Sequence, residues 1–271
     1  MSDFDRNAVA GRFGKTVGRE EAVVDQGLRS YMLQIYNYMV LGLAITGFAA
    51  LGIYMLSVTS DVSAAAKLTS GAAAQIRGMS GYLTPLGYAL FVSPLKWAVI
   101  LAPLAMVFVL SFGIQRMRPA MAQVLFWIFA ALIGVSLGSI FMVYTHTSIT
   151  RVFFITAASF GALSVYGYTT QRDLSGMGSF LVMGLFGVII ASLVNIWLGS
   201  SMLQFIVSVV GVLVFAGLTA YDTQRLKNEY IYGAGDGETM QRSAILGALS
   251  LYLNFINLFT LLLQLLGTRD E

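Results

Sequence analysis

Seven runs of apolar residues, each about as long as the roughly 20-residue helix that crosses a bilayer, leave this chain few ways to fold. They lie at residues 31–58, 97–114, 124–145, 150–168, 177–198, 203–221 and 244–266. The runs are continuous and do not alternate, so they predict helices and not barrel strands. So few residues separate the third run from the fourth that a tight turn is required near His146. The expected fold class is an all-α integral membrane protein of seven transmembrane helices. Residues 1–30 form an N-terminal tail and residues 31–267 the seven-helix transmembrane domain.

Composition agrees. Only 11% of the residues are charged and 57% are hydrophobic, with a mean hydropathy of +0.77. Soluble domains carry about 25% charged residues. With no cysteine and a single histidine, thiolate or multi-histidine metal sites and cysteine nucleophiles are excluded. The net charge of +3 and the pI near 9.1 come from short basic ends and loops, so no nucleic acid partner is expected. The expected partner is the lipid bilayer. No short apolar core with a cleavage site precedes residue 31, so the first span is expected to serve as its own insertion signal.

Orientation follows from lysine and arginine in the short segments. With the N-terminus inside, the inner segments hold eleven basic residues and the outer segments five. The N-terminus is therefore expected in the cytoplasm and the C-terminus outside. A re-entrant last helix would instead leave the C-terminus inside. The longest connection, 59–96, is rich in Ala, Gly and Ser; it reads as an outer loop whose 64–76 section could form a short amphipathic helix. Glycines inside the spans, such as Gly134 and Gly138, read as close helix packing.

The last run is interrupted along one face. Ser243, Gly247, Ser250, Asn254 and Asn257 follow at steps of four, three, four and three, and Gln264 returns to the same stripe. Amides facing hydrocarbon would go without hydrogen bonds at a cost of several kcal/mol. The stripe therefore faces other helices or a wet cavity, and the seventh helix is expected to be central.

Among thirteen acidic residues, only Asp222 abuts a span so that its carboxylate could reach membrane depth. Two readings stand. In one it is a functional intramembrane acid; in the other it lies at the interface and pairs with Arg225 one turn on. Asn254 likewise reads as a structural amide between helices or as part of a site. The Tyr221-Asp222 pair and Gly233-Ala-Gly-Asp236 superficially resemble the paired acids of intramembrane aspartyl proteases. Asp236, however, sits in a hydrophilic glycine-rich connector with Glu229 and Glu238. No catalytic residue is assigned, and no enzyme activity is expected.

The segments Ala220-Tyr-Asp-Thr-Gln-Arg-Leu-Lys227 and Ala248-Leu-Ser-Leu-Tyr-Leu-Asn-Phe-Ile-Asn-Leu-Phe259 resemble the signature of the Bax inhibitor-1 family, in its bacterial branch. Supporting matches are Ser93-Pro-Leu-Lys-Trp97, Ser111-Phe-Gly-Ile-Gln-Arg116 and Asn195-Ile-Trp197. The resemblance implies a multi-pass protein of the bacterial inner membrane, its seventh helix surrounded by the others. It implies a pH-sensitive calcium leak, with calcium as transported species and no cofactor or resident metal, and a stress role. It also implies an alternative, a non-conducting regulator that binds another membrane protein such as a protease. The family's sensor pairs two aspartates latched by an arginine. The first falls on Asp222, the second on Asn254, and the latch on Arg116 or Arg118. Ser250 and Asn257 flank the pair on the polar stripe. An amide cannot ionise or share a proton, so the two-aspartate switch is expected to be weakened, with little response to pH between about 6 and 8.

Overall fold

The computed structural model of the protein describes residues 3–68, 72–75, 81–233 and 237–269, with side chains from residue 26 onward. Nine α-helices stand among the described residues: α1 (Asp3–Ser57), α2 (Pro85–Phe91), α3 (Lys96–Gly113), α4 (Pro119–Leu137), α5 (Ile140–Val143), α6 (His146–Thr169), α7 (Ser175–Leu198), α8 (Ser201–Tyr232) and α9 (Gly237–Leu266). Seven segments are long and apolar enough to cross a membrane: Gln26–Ser57, Lys96–Arg116, Pro119–Val143, His146–Thr169, Ser175–Leu198, Ser201–Tyr232 and Gly237–Leu266. The protein is an all-α integral membrane protein. Each span coincides with one of the seven apolar runs, and the tight turn falls as expected: Thr145 caps α6, its hydroxyl accepting Ser148 N–H.

The last helix is the centre. It packs against α1, α4, α6 and α8, and its apolar window is 67% buried, against 39% or less for every other span. Its buried residues, Leu251, Tyr252 and Phe255 among them, sit in one core with Ile35, Phe126, Phe129 and Phe160. Tyr252 presents its ring edge-on to Phe126 and Phe129, and its hydroxyl meets Thr46 at 2.6 Å. The outward faces of the remaining spans carry large exposed apolar side chains such as Phe112, Phe180 and Trp197, as lipid-facing helices should. Gly134 shows why small residues recur. A Cβ there would stand 2.5 Å from the Thr46 carbonyl oxygen, so only glycine allows α4 to approach α1 this closely.

Two expectations need correction, and one alternative falls. First, α8 does not stop near Tyr221 but continues to Tyr232, because polar residues extend the helix after its apolar run ends. Glu229, expected in a loop, therefore lies on α8; Asp236 falls outside the described residues. Second, over its described residues the 64–76 section is not an α-helix. After the 3-10 turn Val62–Ala64, extended pieces pair through Ala66 N to Leu83 O and Ala74 N to Ala66 O, at 2.8 and 2.7 Å. A run of Ala and Gly offers no apolar stripe for a helix to bury, whereas the extended form buries Ala66 and Ala74 against Leu83 and Met142. The alternative that falls is a re-entrant last helix. Thr268 O accepts Thr145 N–H at 3.1 Å and Thr268 N donates to Ser148 at 2.9 Å, which fixes the end of α9 beside the α5–α6 turn. At the other end, Tyr31 donates to Ser243 at 3.2 Å. The last helix therefore crosses the whole bundle.

Candidate functional site

Asp222 lies in the interior of α8, ten residues before its end, and is 6% exposed. Two donors from α9 converge on its Oδ2: Asn254 Nδ2 at 2.8 Å and Ser250 Oγ at 2.7 Å. Their spacing of four residues puts both on one face of that helix. The other oxygen, Oδ1, receives Arg225 Nη2 at 3.1 Å. Asn254 stands twelve residues from the far end of α9, about 18 Å at 1.5 Å per residue. The cluster is thus inside the bundle, with its cation on the side of the α8–α9 connector.

Each residue of Tyr221-Asp-Thr-Gln224 reaches a different neighbour, so this short stretch ties four elements to α8. The Tyr221 ring covers Gly178 on α7, leaving no room there for a Cβ. Thr223 Oγ1 donates to Thr219 O and accepts from the Tyr36 hydroxyl of α1 at 3.3 Å. Gln224 stitches the α6–α7 connector to α8, accepting Leu174 N–H at 2.8 Å and donating to Arg172 O at 2.7 Å. In that connector Asp173 accepts Ser175 N–H, which together with the Ser175 hydroxyl holds its carboxyl below the ordinary aspartate range.

The polar stripe of α9 is met by a matching series on α8. Ser243 donates to Glu229; Gly247 faces Leu226; Ser250 and Asn254 meet Asp222. At the opposite end Gln264 Oε1 accepts from Gln204 Nε2 at 2.6 Å and Ser208 Oγ at 3.0 Å. Between the two polar ends, Leu258 and Leu261 cluster with Val214 and Leu218, and the seam is apolar. Asn257 does not join the series: its Nδ2 turns back to Leu253 O on its own helix.

Residues 28–271 match the family described as Inhibitor of apoptosis-promoting Bax1. The chain belongs to the Bax inhibitor family. It is 42% identical over 255 residues to the inner membrane protein YbhL of Escherichia coli strain K12, a match covering 93% of this chain and 97% of YbhL. It is 44% identical to the protein RP147 of Rickettsia prowazekii, over 94% of this chain and 97% of that one. A protein of Caulobacter vibrioides is 41% identical over the full length of both.

The resemblance to Bax inhibitor proteins carries a latch arginine onto Arg116 or Arg118, and here the structure differs. Both side chains are exposed at the α3–α4 turn and make no ion pair among the described residues. The cause lies in the packing: α3 rests on α4, and the α3–α4 turn is held at the start of α9, where Arg242 Nε donates to Met117 O at 2.9 Å, eight residues before Ser250. The guanidinium beside Asp222 is that of Arg225, on the same helix. Asp222 is thus buried, as the first sequence reading places it, and also paired one turn on, as the second has it. Sequence reasoning missed Gln224 and Glu229. The signal for both was the helical spacing of three and four running on through Thr223, Leu226 and Tyr230 after the apolar run had ended.

Proposed function

We propose that this Bax inhibitor family protein mediates or regulates a leak of cations, calcium foremost, along the α8–α9 seam. The observation that supports this reading is Asp222: a carboxylate 6% exposed, held by an amide, a hydroxyl and one guanidinium. Ionisable groups inside membrane helices are costly and mark ion pathways. Arg225 is 46% exposed at its side chain, so it is the partner able to swing away and hand its place to an incoming cation. Calcium at this point would find one carboxylate, the Ser250 hydroxyl and the Asn254 carbonyl. A resident site takes about six to eight oxygens, so the cluster suits passage better than storage. Calcium uptake into liposomes containing only this protein tests the reading. Uptake above that of empty liposomes, reduced severalfold in Asp222→Asn, is expected. Uptake equal to empty liposomes would sink it.

The apolar middle of the seam favours a second reading, a non-conducting regulator that binds another membrane protein such as a protease. Leu258 is 1% exposed there, and the polar ends do not meet. The liposome measurement separates the two, because a regulator carries no flux on its own.

The proposed setting is the bacterial inner membrane with the N-terminus in the cytoplasm, supported by the name of YbhL and by the eleven-to-five basic count. The chain has no native cysteine, so single cysteines report cleanly. Tyr232→Cys, at the exposed end of α8, is expected to refuse an impermeant maleimide added to intact cells. Ser60→Cys, exposed in the first connection, is expected to react. The reverse pattern would invert the orientation.

A further inference from the structure

We propose that a groove between α1 and α6 is a binding site for an anionic glycerophospholipid, its acyl chain in the groove and its phosphate at Arg29. The two helices both rest on α9, and an apolar space of about 640 Å³ lies between them, lined by Val40, Leu43, Phe48, Phe153, Phe160 and Phe255. Towards the α8–α9 connector it continues as a second space of about 480 Å³, lined by Arg29, Met32 and Tyr168. Tyr36, Gly161 and Ser164 line both spaces, so the two are one groove. Each is within the about 300–1,000 Å³ of ordinary ligand sites.

Three observations favour a lipid over a partner helix. The first is polarity along the groove. Arg29 stands at one end with no partner among the described residues, and Lys227 Nζ lies 5.3 Å over the Tyr168 ring at the same end. Beyond them the lining is almost wholly apolar, which is the pattern of a molecule with a charged head and an apolar tail. The second is length. From Arg29 to Phe48 is nineteen residues, about 28 Å along the helix, close to the roughly 30 Å hydrocarbon core, so an extended acyl chain fits wholly within the groove. The third is Ser164, 6% exposed, whose hydroxyl has no hydrogen-bond partner among the described residues. At its depth, below Arg29, the ester carbonyl of a lipid is the acceptor a phospholipid would bring.

The groove also supplies its own blocking variants. A Cβ at Gly47 or Gly161 meets nothing within 4 Å, so a larger side chain at either position enters the groove without striking the protein. Native mass spectrometry of the intact protein, released from mild detergent after exposure to equimolar phosphatidylglycerol and phosphatidylcholine, is the test. Retention of phosphatidylglycerol is expected to exceed that of phosphatidylcholine about fivefold, the preference that one basic residue near a membrane surface confers. Arg29→Gln should bring the ratio to about one while lipid is still retained. Gly161→Leu should remove retained lipid of both kinds, and Gly47→Leu carries the same test if the first variant folds poorly. Free glycerol phosphate in excess should displace neither lipid. Equal retention by the natural protein, a preference that survives Arg29→Gln, or lipid that survives both leucine variants would overturn the proposal. So would displacement by glycerol phosphate, which would indicate a plain anion site.

Discussion

Asp222→Lys is expected to lower the stability of the bundle by about 3–5 kcal/mol, the usual penalty for breaking a buried charge pair by removing one partner. The ammonium would enter a space built from donors. Asn254 Nδ2 and Ser250 Oγ point at Oδ2, and Arg225 Nη2 stands 3.1 Å from Oδ1. The Asn254 amide can turn its oxygen towards a cation and Ser250 can accept, so these two losses are partly recovered. Repulsion from Arg225 is not. Arg225→Asp in the same chain is therefore expected to restore part of the loss. The part is modest, about 1 kcal/mol, because the arginine side chain is 46% exposed and water screens it. Apparent unfolding midpoints in mild detergent report both steps, with the single variant lower by roughly 10 °C. A double-mutant cycle on Asp222→Asn and Arg225→Gln isolates the pair. Coupling near zero would remove Arg225 from the site. An unchanged midpoint in Asp222→Lys would mean that the carboxylate is not held as its three contacts indicate.

Why α8 reads eleven residues too short in the sequence is a question of what hydropathy reports. A span is visible because its residues are insoluble in water, so the seven runs and the central last helix could both be read directly. Where a helix leaves the hydrocarbon it can keep its hydrogen bonds and lose only its apolar composition. Residues 222–232 do this, and hydropathy ends α8 where the helix only becomes polar. The stripe on α9 was legible because six residues keep one helical face. Which helix it would meet was not, because no property of Ser250 or Asn254 names Asp222 as the acceptor. The resemblance supplied that pairing. It also implies a latch from the α3–α4 turn, whose Met117 carbonyl is bound instead by Arg242 at the start of α9. The first connection misled for the opposite reason. Alanine favours helix in isolation, yet Ala66 and Ala74 do more for the fold as extended pieces against Leu83.

Asn254→Asp is expected to make the protein pH-sensitive where the natural one is not. The amide now stands 2.8 Å from Asp222 Oδ2 and donates to it, an arrangement whose charge does not change with pH on the asparagine side. A second carboxylate at that distance cannot ionise cheaply beside the first, so the two share a proton until the pH rises towards neutrality. The sign follows. On the acid side the pair carries one negative charge, Arg225 balances it, and calcium gains little. As the pH rises and the shared proton leaves, a second charge appears, and calcium binding and flux should increase several-fold between about pH 6 and 8. Stability moves the other way, because the folded variant holds a proton that the unfolded chain has already lost; its midpoint should fall towards that of a repelling pair as the pH rises. Calcium flux and unfolding midpoints of both proteins across this range are the measurement. The exchanged variant, Asp222→Asn with Asn254→Asp, is the control. It keeps one amide and one carboxylate at the same spacing, so it should be as indifferent to pH as the natural protein. If the exchange variant titrates like Asn254→Asp, a lone acid at position 254 is enough and the pair is not the switch. If the natural protein already shows strong pH dependence, the proton resides on another group, and Asp222 with Asn254 is a structural clasp.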